Sequence, residues 1–199
     1  MLAVVDYGVG NQGSVINMYR RLGMEAVRIT TAAEVGAAER LVLPGIGAFD
    51  HCMRRLREAG LERPLLAAVA RGVPLLGICV GMQMLLDGSD EGVEPGLGLV
   101  RGRALRVPAG VLKVPHMGWN SVRWLADDAL NESLRGEARF YFVHSYHAVC
   151  EDPASVLGTT VYGGEFASVI RAGRVYGVQF HPEKSHRFGL ALLGNFGRA

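Results

Sequence analysis

Apolar residues in this chain fall into short unbroken runs bounded by Gly, Pro, Asn or Asp, alternating with longer stretches of mixed apolar and polar positions. The short runs read as strands covered on both faces, and the mixed stretches read as amphipathic helices. The pattern predicts strands at 2–7, 26–30, 40–43, 74–78, 139–144, 155–161, 166–171 and 175–180, and helices at 12–22, 49–57, 61–70, 81–86 and 186–196. The first half is a repeated strand–helix unit, whereas the second half carries closely spaced strands. That order predicts an α/β fold, a three-layer arrangement whose mixed, mostly parallel sheet has an antiparallel addition and flanking helices. The Gly-rich stretch 87–98 reads as a surface loop, and no repeat or low-complexity linker breaks residues 1–199 into more than one domain.

Composition narrows the class without naming a chemistry. A chain of 199 residues is long enough for one well-buried core and short for two. With 49% hydrophobic and 20% charged residues it has the make-up of a globular protein. A net charge of +2, with scattered Lys and Arg, provides no basic field for nucleic acid. Met1-Leu2-Ala3-Val4-Val5-Asp6 lacks a basic flank and a long apolar stretch, so it reads as a first strand rather than a leader. No apolar run reaches membrane-spanning length. Cys52, Cys79 and Cys150 are odd in number and lack metal-ligand spacing, which points to a reducing, cytoplasmic location.

The candidate chemistry begins at Val73-Pro74-Leu75-Leu76-Gly77-Ile78-Cys79-Val80-Gly81-Met82-Gln83. This is a buried strand, a tight turn and a helix start, the form of a nucleophile elbow with Cys as the nucleophile. Gly77 and Gly81 suit a reversal with no room for neighbouring side chains. The reading places Cys79 at a helix N-terminus, pointing into solvent, where the dipole favours the reactive thiolate. A lone cysteine is more often a small buried hydrophobe. The predicted last strand, however, ends in His181-Pro182-Glu183, whose alternate side chains share a face. His181 and Glu183 then supply a base and its orienting carboxylate, in the order nucleophile, base, orienter. Alone, the His-Pro-Glu segment fits a buried strand-end histidine equally well, and it is the elbow that tips the reading to catalysis.

Two other glycine turns invite a nucleotide reading. Gly8-Val9-Gly10-Asn11-Gln12-Gly13 fits G-x-G-x-x-G by letter, but no acidic residue ends the second predicted strand, and no Walker-type phosphate loop occurs. Pro44-Gly45-Ile46-Gly47 lies between a strand and a helix, a place where main-chain N–H groups can converge on an anion; an ordinary strand–helix turn that needs glycine for positive φ is the other reading.

Gly77-Ile78-Cys79-Val80-Gly81-Met82-Gln83 with His181-Pro182-Glu183 resembles the class I, triad-type glutamine amidotransferases. Asp6-Tyr7-Gly8-Val9-Gly10-Asn11, Pro44-Gly45-Ile46-Gly47-Ala48-Phe49 and Pro115-His116-Met117-Gly118-Trp119-Asn120 are similar, within that family, to the glutaminase subunits of imidazole glycerol phosphate synthases. The likeness runs from the first predicted strand to the last helix.

The resemblance implies a glutaminase with catalytic Cys79, His181 and Glu183, releasing ammonia through a cysteine thioester for histidine biosynthesis. It implies an oxyanion hole from Ile46, Gly47 and Val80, with a turn that family members hold misoriented until a partner engages. For glutamine it implies contacts from Gly45, Gln83, Glu91 and the Ser145–Tyr146 main chain; a solvated loop charge is the other reading of Glu91. It implies a heterodimer with a (β/α)₈-barrel cyclase, docked through Asn11, Met117, Trp119, Tyr141 and Lys184, with core packing the other reading of the apolar ones. Neither cofactor nor metal is implied; His116, His144 and His147 match no zinc spacing. Rival readings are the glutaminase of another synthase, such as pyridoxal phosphate synthase, and a silent module that keeps only the fold.

Overall fold

A computed structural model describes residues 1–108, 113–134, 136 and 138–198 of the protein. In chain order its first half contains β1 (Leu2–Val5), α1 (Gln12–Arg21), β2 (Ala26–Ile29), α2 (Ala32–Ala37), β3 (Arg40–Gly45), α3 (Phe49–Glu58), α4 (Glu62–Ala70), β4 (Leu75–Cys79) and α5 (Val80–Met84). The second half contains β5 (Gly88–Ser89), β6 (Gly102–Arg106), β7 (His116–Trp124), β8 (Ala138–His144), β9 (Tyr146–Cys150), β10 (Val156–Val161), β11 (Glu165–Ala172), β12 (Val175–Val178) and α6 (His186–Arg198).

The main sheet runs in the order β2-β1-β3-β4-β12-β11-β10-β7-β8. The pairs from β2 through β12 are parallel, and those from β12 through β8 antiparallel. β1 and β4 are buried at every position, as strands covered on both faces must be. Around the sheet α1 packs with α6, α2 with α4, and α3 with α5. A side ladder of β5, β6 and β9 joins through β11.

Where the structure adds elements, the physical reason is visible. Helix α2 buries only Val35, too little for an apolar stripe, and is held by a capping box. The Thr31 hydroxyl accepts from Glu34 N–H at 3.3 Å, while Glu34 Oε2 accepts from Thr31 N–H at 2.9 Å. Strands β6, β7 and β9 mix buried, half-buried and exposed positions, so they carry no continuous apolar run. The 87–98 stretch is not simply a surface loop: Gly88 and Ser89 are buried and pair with Arg103 and Ala104. The G-x-G-x-x-G turn folds onto the protein itself, with Gln12 Nε2 donating to the Asp6 carboxylate at 3.2 Å and to the Val9 carbonyl at 2.8 Å.

The C-terminal ends of the parallel strands share one edge of the sheet, the usual place for a site in such folds. There Gly45 of β3 stands in register with Cys79 of β4, and Val178 of β12 with Ile78. The reversal from β4 into α5 depends on backbone contact. A Cβ on Gly81 would lie 2.0 Å from the Leu43 carbonyl oxygen, and one on Gly77 would lie 2.5 Å from the Gly81 oxygen. Gly81→Ala is therefore expected to cost about 3 kcal/mol or more, read as a lowered denaturation midpoint; a wild-type midpoint would show that the elbow can open at little cost.

Candidate active site

Cys79 sits at the elbow with φ 56° and ψ −112°, a left-handed conformation that costs a non-glycine residue on the order of 1–3 kcal/mol. Contrary to the expectation of an outward-pointing thiol, it is only 3% exposed. Instead it forms part of the wall of a cavity of about 460 Å³, roofed by residues of the turn after β3 and of the β8–β9 link. Its Sγ lies 3.9 Å from the Val143 carbonyl oxygen and 3.8 Å from Gln179 Nε2. Helix α5 is five residues long, so it offers only a small part of a full helix dipole. One ionisable side chain stands directly beside the sulfur.

His181 is that neighbour. It follows β12, is 2% exposed, and its Nδ1 lies 2.8 Å from Glu183 Oε1. Burial opposes a charged ring, but the Cys79 and Glu183 side chains beside it prevail and push its pKa up to about 10. The main chain holds the ring's position. His181 N–H donates to the Tyr141 carbonyl at 2.9 Å. The Ser185 hydroxyl donates to the His181 carbonyl at 2.6 Å and accepts from Tyr141 N–H at 3.0 Å. Burial dominates at the other two cysteines. Burial raises the pKa of Cys52, whose thiol donates to the Ile46 carbonyl at 3.2 Å. Burial, with Asp152 adding, pushes Cys150 up to about 11.

Most of the other residues singled out from the sequence meet at the same cavity. Ile46, Gly47, Val80, Gln83, Glu91, Ser145, Tyr146 and Lys184 all line it. Gly45 does not: it lies behind the wall, where a Cβ would meet Gly81 N at 2.5 Å, so its place is explained by close packing of two main chains. The Glu91 carboxylate accepts from Phe49 N–H at 2.8 Å, and Asp50 accepts in return from Val93 and Glu94 N–H at 3.1 and 3.0 Å. Glu91 is thus tied to the start of α3 rather than left as a solvated loop charge.

Asn11 is half-buried at the start of α1 and does not line the cavity. Met117 and Trp119 are 61% and 41% exposed, which removes core packing as their explanation. Trp119 stacks on His186 with ring centroids 5.4 Å apart, and Lys184 lies 5.8 Å from the Tyr141 ring centre. Apolar and cationic side chains thus form one surface patch beside the cavity.

Gln179 and Ser185 escaped the sequence reading. Gln179 is fully buried, and its Oε1 accepts from Gln83 Nε2 at 3.1 Å, so it links Gln83 to the cysteine sulfur. Its signal was present: it stands two residues before His181 on an extended segment and so faces the same way. Ser185 had no such signal, since its role depends on a bridge between Tyr141 and His181 that pairs distant parts of the chain. The arrangement has the components of acyl transfer: a strained thiol, a cationic imidazole held by a carboxylate, and a turn with main-chain N–H groups nearby.

The model of the family "Glutamine amidotransferase class-I" matches residues 3–198, and the chain belongs to that family. Among curated proteins, "Imidazole glycerol phosphate synthase subunit HisH" of Bdellovibrio bacteriovorus is 48% identical over 202 residues, covering 98% of each chain. The protein of the same name from Moorella thermoacetica is 48% identical, covering 98% of this chain and 93% of its own. "Imidazole glycerol phosphate synthase subunit HisH 2" of Methanococcus maripaludis is 44% identical, with 98% of each covered. Of solved structures, "Structure of PurLQS from Thermotoga maritima" superposes with a TM-score of 0.78 at 20% identity, covering 98% of this chain and 96% of that one. "Crystal structure of glutamine amidotransferase" superposes with a TM-score of 0.74 at 22% identity, covering 98% of this chain and all of that one. At those identities the structural likeness speaks for the fold.

Proposed function

We propose that this chain is the glutaminase subunit of an imidazole glycerol phosphate synthase, hydrolysing glutamine and passing ammonia to a (β/α)₈-barrel cyclase subunit. The observation that carries the chemistry is the His181–Glu183 pair at 2.8 Å beside a positive-φ cysteine on a cavity wall. The observation that carries the pathway is 44–48% identity over nearly the whole chain to proteins named as subunits of that synthase. The turn Pro44-Gly45-Ile46-Gly47 and the segment His116-Met117-Gly118-Trp119-Asn120 favour this synthase over pyridoxal phosphate synthase. No cofactor or metal enters the reading, residues 1–199 act as one domain, and the cytoplasm is its site of action. No helix among the described residues is long and apolar enough to cross a membrane.

In this mechanism the Cys79 thiolate attacks the side-chain carboxamide carbon of glutamine, giving a tetrahedral oxyanion. Main-chain N–H groups of Val80 and of the Ile46–Gly47 turn receive that charge; losing one such donor typically costs on the order of 2.7–4 kcal/mol. The His181 imidazolium gives its proton to the departing nitrogen, so ammonia leaves and a γ-glutamyl thioester remains. Water, deprotonated by the now neutral His181, then attacks the thioester carbon, and the C–S bond breaks to release glutamate. Gln83, Glu91 and the Ser145–Tyr146 main chain bind the substrate's amino-acid head. The patch of Met117, Trp119, Tyr141 and Lys184, together with Asn11, docks the cyclase.

The test is glutamate formation from glutamine by this chain alone and with the barrel cyclase and its nucleotide ligand. Stimulation of tenfold or more, equivalent to about 1.4 kcal/mol off the barrier, is the expected result. Turnover indifferent to that cyclase would reassign the chain to another synthase, and no turnover in any mixture would favour a silent module.

A further inference from the structure

Two buried histidines have no part in the mechanism above. His116 of β7 and His144 of β8 stand opposite each other in the ladder, and His116 Nδ1 is 3.0 Å from His144 Nε2. His144 Nδ1 lies 2.9 Å from the Tyr146 carbonyl oxygen, which can only accept, so Nδ1 carries the proton. His144 Nε2 then accepts, which makes His116 Nδ1 a donor as well. His116 Nε2 is left to accept from Asn120 Nδ2, 3.3 Å away. Every bond therefore runs one way, from Asn120 through His116 and His144 to Tyr146, with both rings as Nδ1–H tautomers. A charged ring would set two donors against each other. Burial keeps both neutral, lowering His116 to about 4 and, with His116 adding, His144 to about 3.

The end of this chain of bonds is at the cavity. The Tyr146 carbonyl also accepts from Gln83 Nε2 at 3.0 Å, and His144, Ser145 and Tyr146 line the wall, whereas His116 lies behind it. We propose that Asn120, His116 and His144 are positioning residues for substrate. By fixing the Tyr146 carbonyl they hold the Ser145–Tyr146 main chain in the orientation that receives the amino-acid head of glutamine. The role rests on the glutaminase reading given above, and it acts on substrate binding rather than on the reacting atoms.

The His116 ring is stacked between Phe142 and Tyr162, with centroids 4.8 and 3.9 Å away, so its packing and its hydrogen bonding can be separated. His116→Phe keeps the stack and removes the bonds. His116→Asn gives up the stack but returns a donor near the Nδ1 position. If packing alone mattered, Phe would be the milder change; positioning predicts the reverse. In steady-state assays with the synthase partner, His116→Phe is expected to raise KM for glutamine about tenfold, the size of one lost hydrogen bond. Its kcat should stay within about twofold, and His116→Asn should raise KM less. Nitrogen-15 NMR of the full chain at neutral pH should show both rings protonated at Nδ1 only.

A ring protonated at Nε2, a wild-type KM in His116→Phe, or a larger KM in His116→Asn than in His116→Phe would each overturn the proposal. If the wild-type chain turns over no glutamine with any partner, the glutaminase reading falls and the substrate role falls with it. An active wild type without the KM contrast overturns the positioning role alone.

Discussion

Replacing Cys79 by Ala is expected to lower glutamine hydrolysis by about 10⁴-fold or more, because loss of a nucleophile removes the covalent route altogether. The fold should survive. The side chain lost is small, it faces a cavity at the edge of the core, and the glycine contacts that shape the elbow remain. A denaturation midpoint within about 1 kcal/mol of wild type, together with lost glutamate formation, is the combined expectation. The remaining thiols cannot substitute. Cys52 is fully buried and bonded to the Ile46 carbonyl, and Cys150 holds its proton up to about pH 11. Turnover above a few per cent in the variant would place the nucleophile elsewhere.

Glu183→Gln should be the second most damaging change, because it keeps the shape of the His181 partner and removes its charge. Glu183 is 2% exposed at its side chain, so little solvent screens the pair. In serine-protease triads the equivalent neutralisation costs about 10⁴-fold, and a thiol, which ionises more easily than a hydroxyl, should depend on it less. A fall in kcat of about 10²-fold or more is expected on that ground. The pH dependence gives a sharper reading. His181 has its pKa raised to about 10, so its charged form is kept through neutral pH and lost as pH rises through that value. Removing a contributor to the rise must shift the alkaline limb of the kcat profile to lower pH. A limb that stays in place while kcat falls would show that Glu183 orients the ring without setting its charge.

The parallel half of the molecule was readable chiefly because β1 and β4 are buried end to end and appear as unbroken apolar runs. The grouping of Cys79, His181 and Glu183 was readable for a different reason: an elbow needs glycine at fixed offsets, and an extended segment places alternate residues on one face. Where sequence reasoning fell short, the missing information was non-local. The burial of Cys79 depends on Ile46, Gly47 and the 143–146 segment closing over it, and no residue near Cys79 announces them. Strand β7 is half-wet along much of its length, which hides it from any search for apolar runs. Helix α2 was the avoidable miss, since Thr31 and Glu34 carry a capping signature that does not depend on apolar periodicity.

The path by which His181 is held sets where it can be influenced from. Tyr141 faces Trp119 across the β7–β8 ladder, and its own main chain grips His181 on the other side, through one direct bond and the Ser185 hydroxyl. The imidazole is therefore anchored to the outer edge of the sheet rather than to the parallel strand that delivers it. A load on the Trp119 surface has two contacts to cross before it reaches His181, the Trp119–Tyr141 ladder pair and the Tyr141–His181 hydrogen bond, while the parallel centre of the sheet is bypassed. In mechanical terms the site has a short lever on its wet side and a fixed bearing, the elbow, on its dry one.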